Sequence, residues 1–196
     1  LKWHKKADAI ALGSIPSGDT AGHKAKAKMD LAALLKLGAK LQTPVTSGRT
    51  LRKVGHEWSL RHIQFKFGNN YFNNARVFFF SGTRSLSIAR VMAEFTENLQ
   101  FADPLFENGI PKFIYTLKDL GLYTGTLRGP LNWIPGKSVV ANSEPVRQMA
   151  DYLVRQAIHK AHILVVPHAT FFKHLDPYTI EDLNKKVIIT ATAYDD

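Results

Sequence analysis

From Ser59 the chain reads SLRHIQFKFG, in which Leu60, His62, Gln64 and Lys66 alternate with Arg61, Ile63, Phe65 and Phe67. A period of two with one mostly apolar face predicts a β-strand. Asn69, Asn70, Asn73 and Asn74 then supply turn and N-cap chemistry. Ala75, Val77, Phe78, Phe79, Leu86, Ile88, Ala89, Val91 and Met92 make a long apolar element, with Arg76, Arg84 and Arg90 spaced through it. Residues 95–109 predict a short strand or irregular edge and then a loop. Two β-rich runs, 112–117 and 122–127, are joined by Lys118-Asp119-Leu120-Gly121 and predict a hairpin.

Residues 144–163 carry the clearest helical spacing. Ser143 can cap the helix and Pro145 suits its first turn. Val146, Met149, Ala150, Leu153, Val154, Ala157 and Ile158 form its apolar stripe, and Asp151 and Arg155 can pair across one turn. Beyond it come Val165-Val166, a short helix begun by Asp176-Pro177, and a strand over 187–190. Before Ser59 the pattern is weaker. Residues 1–22 read as a loop-like leader in which Trp3, among Lys2, His4, Lys5 and Lys6, could stack on a base or anchor on a protein neighbour. Residues 19–41 are rich in Ala, Leu and Lys and predict a helix stopped near Gly38. Residues 43–57 predict a linker, and 129–142 a loop with Trp133 as a packing anchor. The order of elements predicts an α/β fold, with residues 1–48 as a basic N-terminal extension, 49–163 as the domain and 164–196 as a C-terminal extension.

Charge changes this picture more than composition does. Residues 1–66 hold 13 Lys and Arg against 4 Asp and Glu, a net +9, while the remaining 130 residues carry +1 of the total +10. A concentrated basic block points to a polyanion, most often nucleic acid, with an anionic lipid surface as the competing partner. Lys24, Lys26 and Lys28 cluster in the first half of the predicted helix. Arg49, Arg52 and Lys53 stand among the hydroxyls of Thr43, Thr46, Ser47 and Thr50, a combination suited to phosphate contact. With Arg61 they form the candidate RNA-binding set; Arg76, Arg84 and Arg90 are second-rank candidates.

Several chemistries are set aside. The chain has no cysteine, which excludes disulfides, thiolate metal sites and thiol redox chemistry. No apolar run approaches the length of a membrane span. His159 and His162 share a helical face, but no third ligand stands at a recognised spacing, so neither a metal nor a cofactor is expected. There is no P-loop, no GxGxxG and no nucleophile elbow around Ser81-Gly82-Thr83. The acidic residues form no acid–base pair. A binding or structural protein is expected rather than an enzyme, with no small-molecule substrate.

Four pieces carry a resemblance: Gly48-Arg49-Thr50-Leu51, Ser59-Leu60-Arg61, the run from Asn74 to Phe80, and residues 111–127 followed by the helix from Glu144. Together they resemble a thioredoxin-like family shared by mitochondrial ribosomal proteins and a small accessory subunit of respiratory complex I. The likeness covers residues 49–157. It implies a thioredoxin-like core without redox activity, whose first strand opens at Ser59 and first helix at Asn74, with 111–127 as its hairpin. The Ser81-Gly82 step departs from that helix, since glycine inside a helix costs about 1 kcal/mol. The resemblance implies a structural constituent of the mitochondrial small ribosomal subunit, in the matrix, bound to rRNA and neighbouring ribosomal proteins. The alternative is an accessory subunit of a respiratory complex; the basic block favours the ribosome.

Overall fold

The computed structural model describes residues 6–11, 24–40, 43–46, 49–132 and 143–190. Trp3 and its neighbours, the Ser47-Gly48 step, Trp133 and the loop to Asn142, and residues 191–196 lie outside the described residues. The chain divides into two compact units, Leu1–Trp58 and Ser59–Asp196.

The first unit is small. Strand β1 (Ile10–Ala11) pairs in parallel with β2 (Val45–Thr46). Between them runs helix α1 (Lys24–Ala39), where the alanine- and leucine-rich run was expected to be helical. Residues 43–57 are not the linker that was expected: β2 lies within them, and a long helix, α2 (Arg49–Phe67), begins at Arg49.

The second unit is an α/β fold built on four parallel strands: β3 (Val77–Phe79), β4 (Leu99–Phe101), β5 (Ile163–Val166) and β6 (Val187–Thr190). Their spatial order is β4-β3-β5-β6, and Val77 stands opposite both Leu99 and Ile163. Side chains alternate across the sheet. Val77, Phe79, Ile163 and Val165 point to one face, against Leu60 of α2 and helix α3 (Leu86–Met92). Phe78, Phe80, Leu164 and Val166 point to the other, against Val154, Ala157 and Ile158 of helix α7 (Glu144–Lys160). Helices thus cover both faces, which is why the inner strands read as unbroken apolar runs. The segment beyond Ile163 supplies two of the four strands and completes the sheet.

Three expectations are corrected. Residues 60–67 are helical, because Leu60, Ile63 and Gln64 lie at helical spacing on the inward side while Arg61, His62 and Phe65 point out. The run from Asn74 opens a strand, not a helix; a central parallel strand is apolar on both faces, so periodicity does not separate it from a buried helix. Residues 112–127 form no hairpin. Ile114 alone makes an antiparallel bridge, to Phe101. Helix α5 (Leu117–Leu122) and a π-helical turn (Tyr123–Leu127) follow, and then α6 (Arg128–Asn132). Thr116 caps α5, its Oγ1 accepting the Asp119 N–H at 3.0 Å.

Smaller shifts accompany these. Helix α4 (Asp103–Asn108) occupies the expected loop and is closed by Gly109 at φ 64°, a left-handed position that glycine takes without a Cβ penalty. On α7, Met149 is 53% exposed and stands outside the buried stripe. Arg147 pairs with Glu144 at 2.9 Å, while Arg155 lies over the Tyr178 ring instead of pairing with Asp151. The last helix, α8 (Ile180–Leu183), starts at a Thr179–Asp182 capping box rather than at Asp176-Pro177.

Candidate nucleic-acid interface

Open parallel sheets bind ligands beyond the carboxyl ends of their strands, where strand order reverses. Here strand order reverses between β3 and β5, and the loop beyond β3 is engaged from its other side, by a residue just after β4. β3 runs out into Ser81-Gly82-Thr83, whose polar groups converge on the fully buried Asp103 at the start of α4. The Gly82 N–H donates to Asp103 Oδ2 at 2.7 Å. The Thr83 N–H and hydroxyl donate to Oδ1 at 3.0 and 2.7 Å, and the Ser81 hydroxyl at 3.0 Å. Two consecutive backbone amides with flanking hydroxyls are the chemistry of a phosphate nest; in this chain its occupant is the protein's own carboxylate. Gly82 is required by close approach, since a Cβ there would lie 2.4 Å from Phe101 Cδ1 and 2.8 Å from Leu120 Cδ2.

Beside the nest lies a cluster of aromatic rings. Phe80 stacks on Phe106 with centroids 5.7 Å apart. His174 lies 4.5 Å from Phe106 and 5.8 Å from Phe171, and the Arg84 guanidinium sits 5.6 Å over Phe171. Burial, helped by the charge of Lys173, lowers the His174 pKa, against an opposing pull from Asp151 and Asp176. A shallow cleft of about 240 Å³ beside α7 is lined by Arg155, Gln156, Ile158, His159, Tyr178 and Asp182. That is below the roughly 300–1,000 Å³ of small-molecule pockets.

The last four of the eight histidines go to different tasks. His159 stands exposed in the last turn of α7. His162 accepts the Arg76 N–H at Nδ1, 3.2 Å away, and contacts Arg76 Nη2 at 3.0 Å. His168 is exposed and His174 sits among the rings. Among the described residues no three His, Cys, Asp or Glu side chains come together as a metal site. No helix among them is long and apolar enough to cross a membrane.

The cationic candidates are placed as follows. Lys24, Lys26 and Lys28 lie in the first turns of α1, and Arg49 and Arg52 in the first turn of α2; their side chains are outside the described set. Lys53 is exposed on α2 with Glu57 3.8 Å away. Arg61 is held by Glu94 through two contacts of 2.8 and 2.9 Å. Arg76 meets His162, Arg84 meets Phe171, and Arg90 is exposed on α3. Lys186 is turned to structure: its ammonium donates to the His159 and Ala161 carbonyls at 3.0 and 2.9 Å. Burial first, and then the charge of Arg76, lower its pKa.

Sequence reasoning missed one surface feature. Phe65 and Phe67, placed on the mostly apolar face of an expected strand, are 78% and 62% exposed, and Tyr71 is 40% exposed. The signal was present in the 3.6-residue spacing of Leu60, Ile63 and Gln64, which claims the inward side for other residues.

A family model described as Domain of unknown function (DUF8754) matches residues 50–196, and the chain belongs to that family. No curated protein and no solved structure matches the chain.

Proposed function

We propose that this protein is a structural constituent of the mitochondrial small ribosomal subunit. It binds rRNA through Lys24, Lys26, Lys28, Arg49, Arg52, Lys53 and Arg61, and its α/β body docks neighbouring ribosomal proteins. The observation that carries this reading is the distribution of charge: a net +9 within the first 66 residues, set mainly on α1 and the first half of α2. The loop after β3 supports it: the Gly82 and Thr83 amides, which a nucleotide-using enzyme would turn to a phosphate, are taken by Asp103.

The thioredoxin-like form of the fold is the finer part of the proposal. The closing helix from Glu144 supports it. The all-parallel order, with its first strand beside both the second and the third, is instead that of doubly wound sheets. The ribosomal reading therefore leans on charge and not on the hairpin that the resemblance implied.

Electrostatic binding has a salt signature. If the seven cations each neutralise a phosphate of a single strand, log affinity falls against log salt with a slope of about −5, roughly a thousandfold between about 50 and 200 mM. Fluorescence anisotropy of the full chain with labelled rRNA fragments measures this slope. Salt-insensitive binding, or none, refutes the proposal.

A further inference from the structure

Phe67 ends α2 with its ring exposed, and the turn after it brings Tyr71 alongside, with centroids 5.2 Å apart. Tyr71 rests edge-on against the fully buried Phe72 at 5.1 Å. The turn is pinned from α2: Gln64 Oε1 accepts the Phe72 N–H at 2.8 Å, and Gln64 Nε2 donates to the Asn69 carbonyl. The Tyr71 N–H closes onto the Gly68 carbonyl at 2.9 Å. Two solvent-facing rings are therefore held on a buried third, so little freedom is left for a ligand to remove. The Lys66 ammonium stands 5.9 Å from the Phe67 centroid.

The charge at the rings is positive. From Trp58 to Ala93 the sequence contains Arg61, Lys66, Arg76, Arg84 and Arg90 and no Asp or Glu; Arg61 is paired with Glu94, and Lys66 is the cation that stands against the Phe67 ring. A protein partner would need acidic groups to match that stretch; a nucleic acid brings them on every nucleotide. Aromatic faces beside a cation are the elements with which proteins hold unpaired bases, the rings stacking and the cation meeting phosphate. A duplex keeps its bases stacked inside and offers these rings little but backbone.

We propose that Phe67 and Tyr71 form a stacking platform for unpaired RNA nucleotides, with Lys66 on the adjoining phosphate. This deepens the RNA-binding reading above and rests on it: the basic block supplies affinity for any RNA, and the platform selects single strands.

The test compares two probes on the full chain, a labelled oligouridylate of about 12 nucleotides and a blunt RNA duplex of equal charge. The variants are the Phe67→Ala, Tyr71→Ala double substitution and the Phe67→Leu, Tyr71→Leu pair, which keeps apolar bulk without a π face; circular dichroism confirms that each folds. Both pairs are expected to lose about tenfold or more in affinity for the single strand, with the duplex changed less than about twofold and the salt slope preserved. Equal losses on both probes, or no loss on the single strand while the unsubstituted protein binds with a steep salt slope, overturn the platform alone. An unsubstituted protein with no salt-dependent affinity for either probe overturns the RNA-binding reading and the platform with it.

Discussion

Asp103→Ala is the substitution that reaches deepest into this fold. Asp103 is fully buried and accepts four hydrogen bonds from Ser81, Gly82 and Thr83. Removing its carboxyl leaves the Gly82 and Thr83 N–H groups buried without an acceptor, at roughly 1–3 kcal/mol each. The two hydroxyls lose less, because Ser81 Oγ and Thr83 Oγ1 already lie 3.0 Å apart and can bond to each other. The expected loss is about 3–4 kcal/mol, a large part of the roughly 5–15 kcal/mol that holds a domain folded. Asp103→Asn keeps an oxygen where Oδ1 takes three donors and turns its NH₂ toward the single donor at Oδ2, so it costs less, about 1–3 kcal/mol. Urea unfolding followed by far-UV circular dichroism separates them. With a slope of about 1–3 kcal/mol per molar, the alanine midpoint falls by roughly 1–4 M and the asparagine midpoint by less. An alanine variant within about 0.5 kcal/mol of the natural chain, or an asparagine variant weaker than it, refutes the assignment of the nest to Asp103.

Three further outcomes follow from the same interior. Gly82→Ala forces a methyl against Phe101 and Leu120 and is expected to cost about 1–3 kcal/mol by overpacking, read from the same urea curves. The lowered pKa of His174 means that its contribution is present above the unfolded value of 6.5 and is lost as pH falls through the folded one. Thermal midpoints measured from about pH 8 to pH 5 should therefore fall less steeply for His174→Phe than for the natural chain; parallel curves would show that the imidazole is not held neutral. Thr116→Ala removes the α5 cap and is expected to cost about 1 kcal/mol, whereas no measurable loss would mean that α5 is held by Leu120 packing alone.

Much of the interior was legible in the residues. The helix from Glu144, with Val154, Ala157 and Ile158 on its buried side, and the strand at Val187–Thr190 stand where periodicity placed them. The errors share two causes. In residues 60–67 and 77–79 the local pattern admits two periods, and only the sheet decides between them. Leu60, Ile63 and Gln64 satisfy a helix as well as a strand, and Val77-Phe78-Phe79 is apolar throughout because helices cover both faces. In residues 112–127, β-branched and aromatic residues outweighed the Thr116-x-x-Asp119 cap that starts α5. Asp103 could not be singled out at all, since a buried carboxylate and a surface one look alike until β3 and β4 lie side by side. The basic block was legible as charge; the exposure of Phe67 and Tyr71 became visible only once Gln64 had claimed the turn beneath them.

The central claim is that this chain belongs to a ribonucleoprotein. Its most direct test is sedimentation of a mitochondrial detergent lysate through a sucrose gradient, with and without ribonuclease, following this protein by antibody. The account predicts co-migration with the small ribosomal subunit that is lost after ribonuclease. Migration with a respiratory complex, unchanged by ribonuclease, would contradict it.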